Sequence, residues 1–185
     1  MKYKDRLVRD NVTNLLEDRG FTVNKEKLDE RKYKLGLYSL FVDLFKESKV
    51  IDDNKSVELC EIYADMLEII KTIAKADQIH VKDIIGEKES SPIDWYTQSM
   101  PDKIRLYLAR TNLLNKFYQL LSIKNKEVRL SQLKELIKDF KEVLNAHHVG
   151  FNQVELKRRD RLKNLGGYSQ GVYINSVEKD VTQQV

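Results

Sequence analysis

Between Ser56 and Ala76 seven large apolar side chains, Leu59, Ile62, Tyr63, Met66, Ile69, Ile70 and Ile73, recur at three- and four-residue intervals. At about 100° per residue these positions form one stripe along a helix, and a stripe of this width must be buried against other elements. The spacing predicts a helix over 56–76 with Ser56 as its N-cap. Tyr33, Leu37, Leu40, Phe41, Leu44 and Phe45 make a second stripe over 30–48. Further helices are expected over 10–19, stopped by Gly20, and over 79–85, 102–121, 131–147 and 152–164, the last ended by Gly166-Gly167. Phe21 to Val23 reads as extended, and Asp52 to Lys55 and Lys124 to Lys126 as turns. Seven Gly and two Pro in 185 residues leave few forced breaks. An all-α fold around a four-helix-type core is expected, and a strand-rich sandwich is not.

The length suits one domain over 1–177, with candidate halves 1–86 and 100–177, a linker over 87–99 and a polar, flexible tail over 178–185. A shift of 74 residues places Leu59 on Leu133, Glu61 on Glu135, Asp65 on Asp139, Met66 on Phe140, Glu68 on Glu142 and Ile69 on Val143. Either the chain is an internally duplicated pseudo-dimer of helical hairpins, or two amphipathic helices share a stripe by chance. The single Cys60 and the lack of a leader or long uncharged apolar run point to a cytoplasmic protein with no membrane partner. A net charge of +4, from 33 bases and 29 acids, does not by itself select nucleic acid. The bases do cluster, at Lys2, Lys4, Arg6 and Arg9 and again at Lys157, Arg158, Arg159, Arg161 and Lys163. Each cluster is either a phosphate contact or a solvated face.

Glu61, Asp65 and Glu68 fall in one sector of the 56–76 helix, beside its apolar stripe. Such a row is a hydrated edge or part of a site for Mg²⁺ or Mn²⁺, hard ions that need several oxygen ligands to clamp a triphosphate and activate water. His147 and His148 point about 100° apart, and His147 sits on a stripe position, which favours packing over chemistry. Cys60 reads as a small buried residue, and Trp95 with Tyr96 either stacks on a base or pins the linker. There is no Gly-rich phosphate loop of the Walker type, zinc pattern or nucleophile elbow.

Two terminal segments carry a family resemblance. They are Tyr3-Lys4-Asp5-Arg6-Leu7-Val8-Arg9-Asp10 and Lys163-Asn164-Leu165-Gly166-Gly167-Tyr168-Ser169-Gln170-Gly171-Val172-Tyr173-Ile174. Together with Glu61-Ile62-Tyr63-Ala64-Asp65-Met66-Leu67-Glu68, they resemble the opening, closing and second-helix signatures of the MazG-like all-α nucleoside triphosphate pyrophosphohydrolases. The resemblance spans the chain except about residues 86–130. It implies that Asp65, with Glu61, Glu68 and Asp43, holds Mg²⁺ or Mn²⁺. It further implies that Lys163, Arg9 and Lys4 neutralise phosphates, and that water cleaves a nucleoside triphosphate to monophosphate and pyrophosphate.

The chain departs from the family pattern at several of these positions. Ile62 stands where the pattern has the first carboxylate of an ExxD pair, and Leu165 where it has an arginine. Residues 40–45 offer only Asp43, with Glu47 one turn on, and residues 113–120 offer no carboxylate. The alternative expectation is therefore a catalytically inactive nucleotide-binding sensor or decoy, or a protein-interaction module, on the same fold. A nucleotide is the expected partner, with a homo-oligomer or another protein as further candidates. Arg9 is expected either to pair with Asp10 or to face phosphates.

Overall fold

In the computed structural model, residues 3–51, 56–85 and 101–179 are described. Along the chain run β1 (Arg6–Leu7), α1 (Val12–Glu17), β2 (Phe21–Lys27), α2 (Glu30–Val50), α3 (Ser56–Ala76), α4 (Val81–Ile85), α5 (Asp102–Gln119), α6 (Lys126–Ala146), α7 (Phe151–Leu165) and β3 (Val172–Lys179). The turn at Asp52 to Lys55, the linker 87–99 with Trp95 and Tyr96, and tail residues 180–185 lie outside the described residues.

Local chemistry sets the helix boundaries. The Asp29 carboxylate accepts a hydrogen bond from the Lys32 N–H at 2.8 Å and caps α2. The Asn125 side chain accepts from the N–H groups of Glu127 and Val128 and starts α6 at Lys126, five residues before the expected start at Ser131. The Gly150 N–H donates to the Gln153 side chain at 3.1 Å at the head of α7. Helix α3 occupies the span its apolar stripe predicts.

Helix α3 is the centre of the core. Its Tyr63, Met66, Leu67, Ile69 and Ile70 are completely buried. Helix α2 packs along α3, α5 along α6, and α7 along α3. The two hairpin-like pairs meet through aromatic contacts: Phe41 of α2 stacks on Phe117 of α5 with centroids 3.7 Å apart, and Tyr63 of α3 meets Phe140 of α6 edge-on at 5.9 Å. The chain is thus mostly helical around a four-helix core, as its patterning predicts. No helix among the described residues is long and apolar enough to cross a membrane.

Positions related by the 74-residue shift share burial, since Leu59 and Leu133, Met66 and Phe140, and Ile69 and Val143 are all buried. Glu135 and Asp139 both meet Lys116 of α5, at 3.0 and 3.2 Å. His147 packs in the core with its ring edge-on to Tyr63 at 5.8 Å.

A polar knot fixes one end of this core. The Arg129 guanidinium donates through Nε and Nη2 to Asp77, through Nη1 to the carbonyls of Leu120 and Ile123, and through Nη2 to the Tyr38 hydroxyl at 3.3 Å. One side chain of α6 thereby links α2, the residue after α3 and the turn after α5.

The strands are the main departure from an all-helical expectation. β3 pairs antiparallel with β1 on one side and β2 on the other, giving the order β1-β3-β2. Arg6 lies opposite Ile174 and Leu7 opposite Tyr173, while β2 runs from Phe21 opposite Lys179 to Lys27 opposite Val172. Val8, Val12 and Ile174 form a small core of their own beneath this sheet. Glu178 and Lys179, expected in a polar tail, are strand residues. Their partners in β2, Thr22 and Phe21, lie more than 150 residues earlier, beyond the reach of local pattern reading.

Candidate functional site

The two terminal segments form one structural unit. The N–H groups of Val8, Asp10 and Asn11 donate to the carbonyls of Val172, Gly167 and Leu165 at 3.0, 2.8 and 2.9 Å. The Asp10 carboxylate closes the turn beyond, accepting from the Ser169 N–H and hydroxyl at 3.2 and 2.8 Å and from the Gln170 N–H at 2.9 Å. Gly166, at φ +75°, ends α7 in a conformation that L side chains rarely adopt, and a Cβ there would lie 3.0 Å from the Asp10 Cβ. Its carbonyl accepts from Arg9 Nη1 at 2.7 Å.

Arg9, 3% exposed, is the hinge between this unit and the helices. Its Nε and Nη2 donate to Asp65 Oδ1 at 3.1 and 2.7 Å, and its guanidinium lies 5.1 Å from the centre of the Tyr168 ring. Arg9 therefore pairs with Asp65 of α3 rather than with the adjacent Asp10, which is engaged by the Ser169-Gln170 turn.

Beyond Arg9, α3 and α7 are joined by a ladder of ion pairs. Lys71 meets Glu155 at 2.7 Å, Glu68 meets Arg158, and Asp65 meets Arg161 through two parallel hydrogen bonds of 2.7 Å. The partners step by three residues in opposite directions along the two helices, so the helices run antiparallel with charges matched at each rung. Glu61 extends the ladder, taking Lys157 at 2.8 Å and Arg161 Nη1 at 3.5 Å. Glu155 also receives Arg158 through two bonds of 2.9 Å and Arg159 at 3.2 Å.

Burial and pairing compete for the charge states along the ladder. Burial pushes the Glu155 carboxyl up, but the hydrogen bonds and charges of Arg158 and Lys71 outweigh it and hold the group at about 2. Burial pulls the Lys71 ammonium down, only partly offset by Glu155. Burial, with the nearby Asp10 and Glu68 charges, pushes the Tyr33 hydroxyl up to about 12. Burial first and the Asp65 charge second also raise the Tyr168 hydroxyl.

The Glu155 shift carries a pH signature. A carboxylate whose folded pKa is depressed contributes stability that is complete above its ordinary value of 4.5 and is lost as pH falls toward about 2. Urea denaturation between pH 5 and about 2 is expected to show this loss, and Glu155→Gln to flatten the profile in that window. An unchanged acid limb in Glu155→Gln would remove Glu155 as its source.

The residues expected to hold a metal are distributed differently from a metal centre. Asp43 is half-exposed, 3.8 Å from Lys46, and Glu47 accepts from Arg6 at 3.3 Å. Among the described residues no three His, Cys, Asp or Glu side chains are grouped to hold a metal ion. Glu61, Asp65 and Glu68 each face bases, and both Asp65 oxygens accept from guanidinium groups. Mg²⁺ and Mn²⁺ need several unshared oxygen ligands in a site of negative charge, and this donor set does not fit them.

Of the expected phosphate contacts, Arg9 is buried behind Asp65. Lys4 is exposed, 4.0 Å from Asp5, and Lys163 is exposed on the last turn of α7. Arg6, Arg9, Arg161, Asp65, Leu165 and Tyr168 line a cleft of about 50 Å³ between the N-terminal segment and α7. Sequence reasoning did not single out Lys71 and Glu155, the third rung. Their signal is the three-residue spacing of Asp65, Glu68 and Lys71 set against that of Glu155, Arg158 and Arg161. No family model, curated protein or solved structure matches this chain.

Proposed function

We propose that this chain is a MazG-like nucleotide-binding protein that holds the phosphate end of a nucleoside triphosphate with arginine instead of a divalent cation, and does not cleave it. The observation that carries the reading is the charge balance of the α3–α7 array. Glu61, Asp65, Glu68 and Glu155 are met there by Arg9, Lys71, Lys157, Arg158, Arg159 and Arg161. With Asp160 beside Lys157 and Asp10 beside Glu68 the array is close to neutral, so it offers Mg²⁺ no excess of negative charge. Arg6, Arg9 and Arg161 bring planar guanidinium groups to one small cleft, and guanidinium is well suited to phosphoryl oxygens. The cleft has room for a phosphoryl group rather than a whole nucleotide, so the nucleoside would lie outside it.

The test pairs turnover with binding. With a panel of NTPs and dNTPs plus Mg²⁺ or Mn²⁺, neither monophosphate nor pyrophosphate is expected to form. In EDTA, saturating triphosphate at about 100 times its dissociation constant is expected to stabilise the fold by about 2.7 kcal/mol, and Mg²⁺ to weaken that effect by competing for the phosphates. Pyrophosphate release that Asp65→Ala abolishes would replace this reading with a metal-dependent hydrolase. The absence of both turnover and stabilisation would leave the array a structural device.

A further inference from the structure

A second, larger concavity lies on the far side of α2, where the end of that helix meets the start of α5. It has a volume of about 420 Å³, within the range of small-molecule sites. It shares no lining residue with the arginine cleft. The buried ring of Phe45 lies at its base with Lys49 Nζ 4.7 Å from the ring centre, and Leu114 forms an apolar wall. Tyr107, 69% exposed, stands at the rim with nothing covering it among the described residues.

Three cations, Lys49, Lys103 and Arg110, line this groove, and among the described residues no carboxylate does. Arg110 is held in place by one bond, from Nη2 to the Ser48 carbonyl at 2.9 Å, while its Nε is buried with no acceptor among the described residues. That Nε is out of reach of a ligand in the groove, so what an anion there would meet is the positive charge of the Arg110 guanidinium, beside those of Lys49 and Lys103.

The geometry points to a ligand site for an aromatic organic anion: a ring laid between Tyr107 and the apolar wall, and an anionic group held by Lys49, Lys103 and Arg110. The combination selects this class over its neighbours. Inorganic phosphate alone would leave the aromatic wall unused, and a neutral aromatic would leave three cations uncompensated. A second copy of the chain docked here face to face would oppose like charges. This inference is independent of the reading of the arginine cleft.

The probes are 8-anilinonaphthalene-1-sulfonate, followed by its fluorescence, with AMP and inorganic phosphate as competitors. Saturable dye binding to the folded protein is expected. Lys103→Glu, at an exposed position, is expected to weaken it about tenfold by exchanging attraction for repulsion. Tyr107→Ala is expected to weaken it about fivefold with an unchanged melting temperature. Displacement by AMP identifies a nucleotide as the natural source. Displacement by unlabelled naphthalene sulfonate but not by AMP identifies another aryl anion, and phosphate alone is expected to displace neither. Dye affinity unchanged in both variants, or no saturable binding, overturns the assignment. Triphosphate stabilisation measured on the same variants reports on the arginine cleft separately.

Discussion

Asp65→Ala is expected to lower the free energy of unfolding by about 3–5 kcal/mol, because it strands a buried guanidinium. Arg9 is 3% exposed, and Asp65 supplies its only carboxylate partner among the described residues. The remaining bond, to the Gly166 carbonyl, cannot neutralise it. The sign separates two roles for Asp65. A carboxylate kept to hold metal sits among like charges, and its removal stabilises the metal-free protein or leaves it unchanged; a carboxylate that neutralises two arginines is missed at once. The double variant Arg9→Met/Asp65→Leu removes the buried charge together with its partner and is expected to recover much of the loss. Arg161, 19% exposed in its side chain, keeps Glu61 within 3.5 Å in that variant. Urea denaturation at neutral pH measures all three proteins. An Asp65→Ala variant within about 1 kcal/mol of the parent would contradict the pairing.

Arg129→Met is expected to cost about 2–4 kcal/mol, the second largest effect. The substitution keeps the aliphatic bulk and removes the fork, leaving Asp77 without its cation and the carbonyls of Leu120 and Ile123 without this donor. Arg129→Lys restores charge without the planar geometry that serves four acceptors together, and is expected to recover about half of the loss. Because Asp77 lies twelve residues beyond Asp65, roughly 18 Å along the axis of α3, the two substitutions are expected to be additive. A melting temperature unchanged by Arg129→Met would mean that water serves these acceptors equally well.

The helical part of the fold was legible because its information is local. The stripe from Leu59 to Ile73 marks α3 to its ends, and Gly166-Gly167 marks the end of α7. The start of α6 is hidden in the sequence because Asn125, which caps it, is also a common turn residue. Strands β1 and β3 were illegible for a different reason. A two-residue strand has no period, and its partner lies near the other end of the chain.

The site was half legible. Both the acidic row on α3 and the basic run on α7 stand out in the sequence, and Asp65 is the residue on which the region turns. That the basic run neutralises the acidic row depends on how α7 packs against α3, which neither helix states alone. The resemblance drew attention to the carboxylates as ligands, whereas Arg9 and Arg161 occupy the space that a cation would need.

The joining of residues 6–11 to the end of α7 and the segment after it has a consequence for biosynthesis. The Gly166 carbonyl that receives the Arg9 Nη1 leaves the ribosome 157 residues after Arg9 does. The pairs α2–α3 and α5–α6 close from near neighbours in sequence and can assemble while the chain is still being extended. The N-terminal segment cannot settle until α7 and β3 are released. A clasping step therefore follows the release of α7 and β3, and a nascent chain stalled before Gly166 would display Arg9 and Asp10 unfastened.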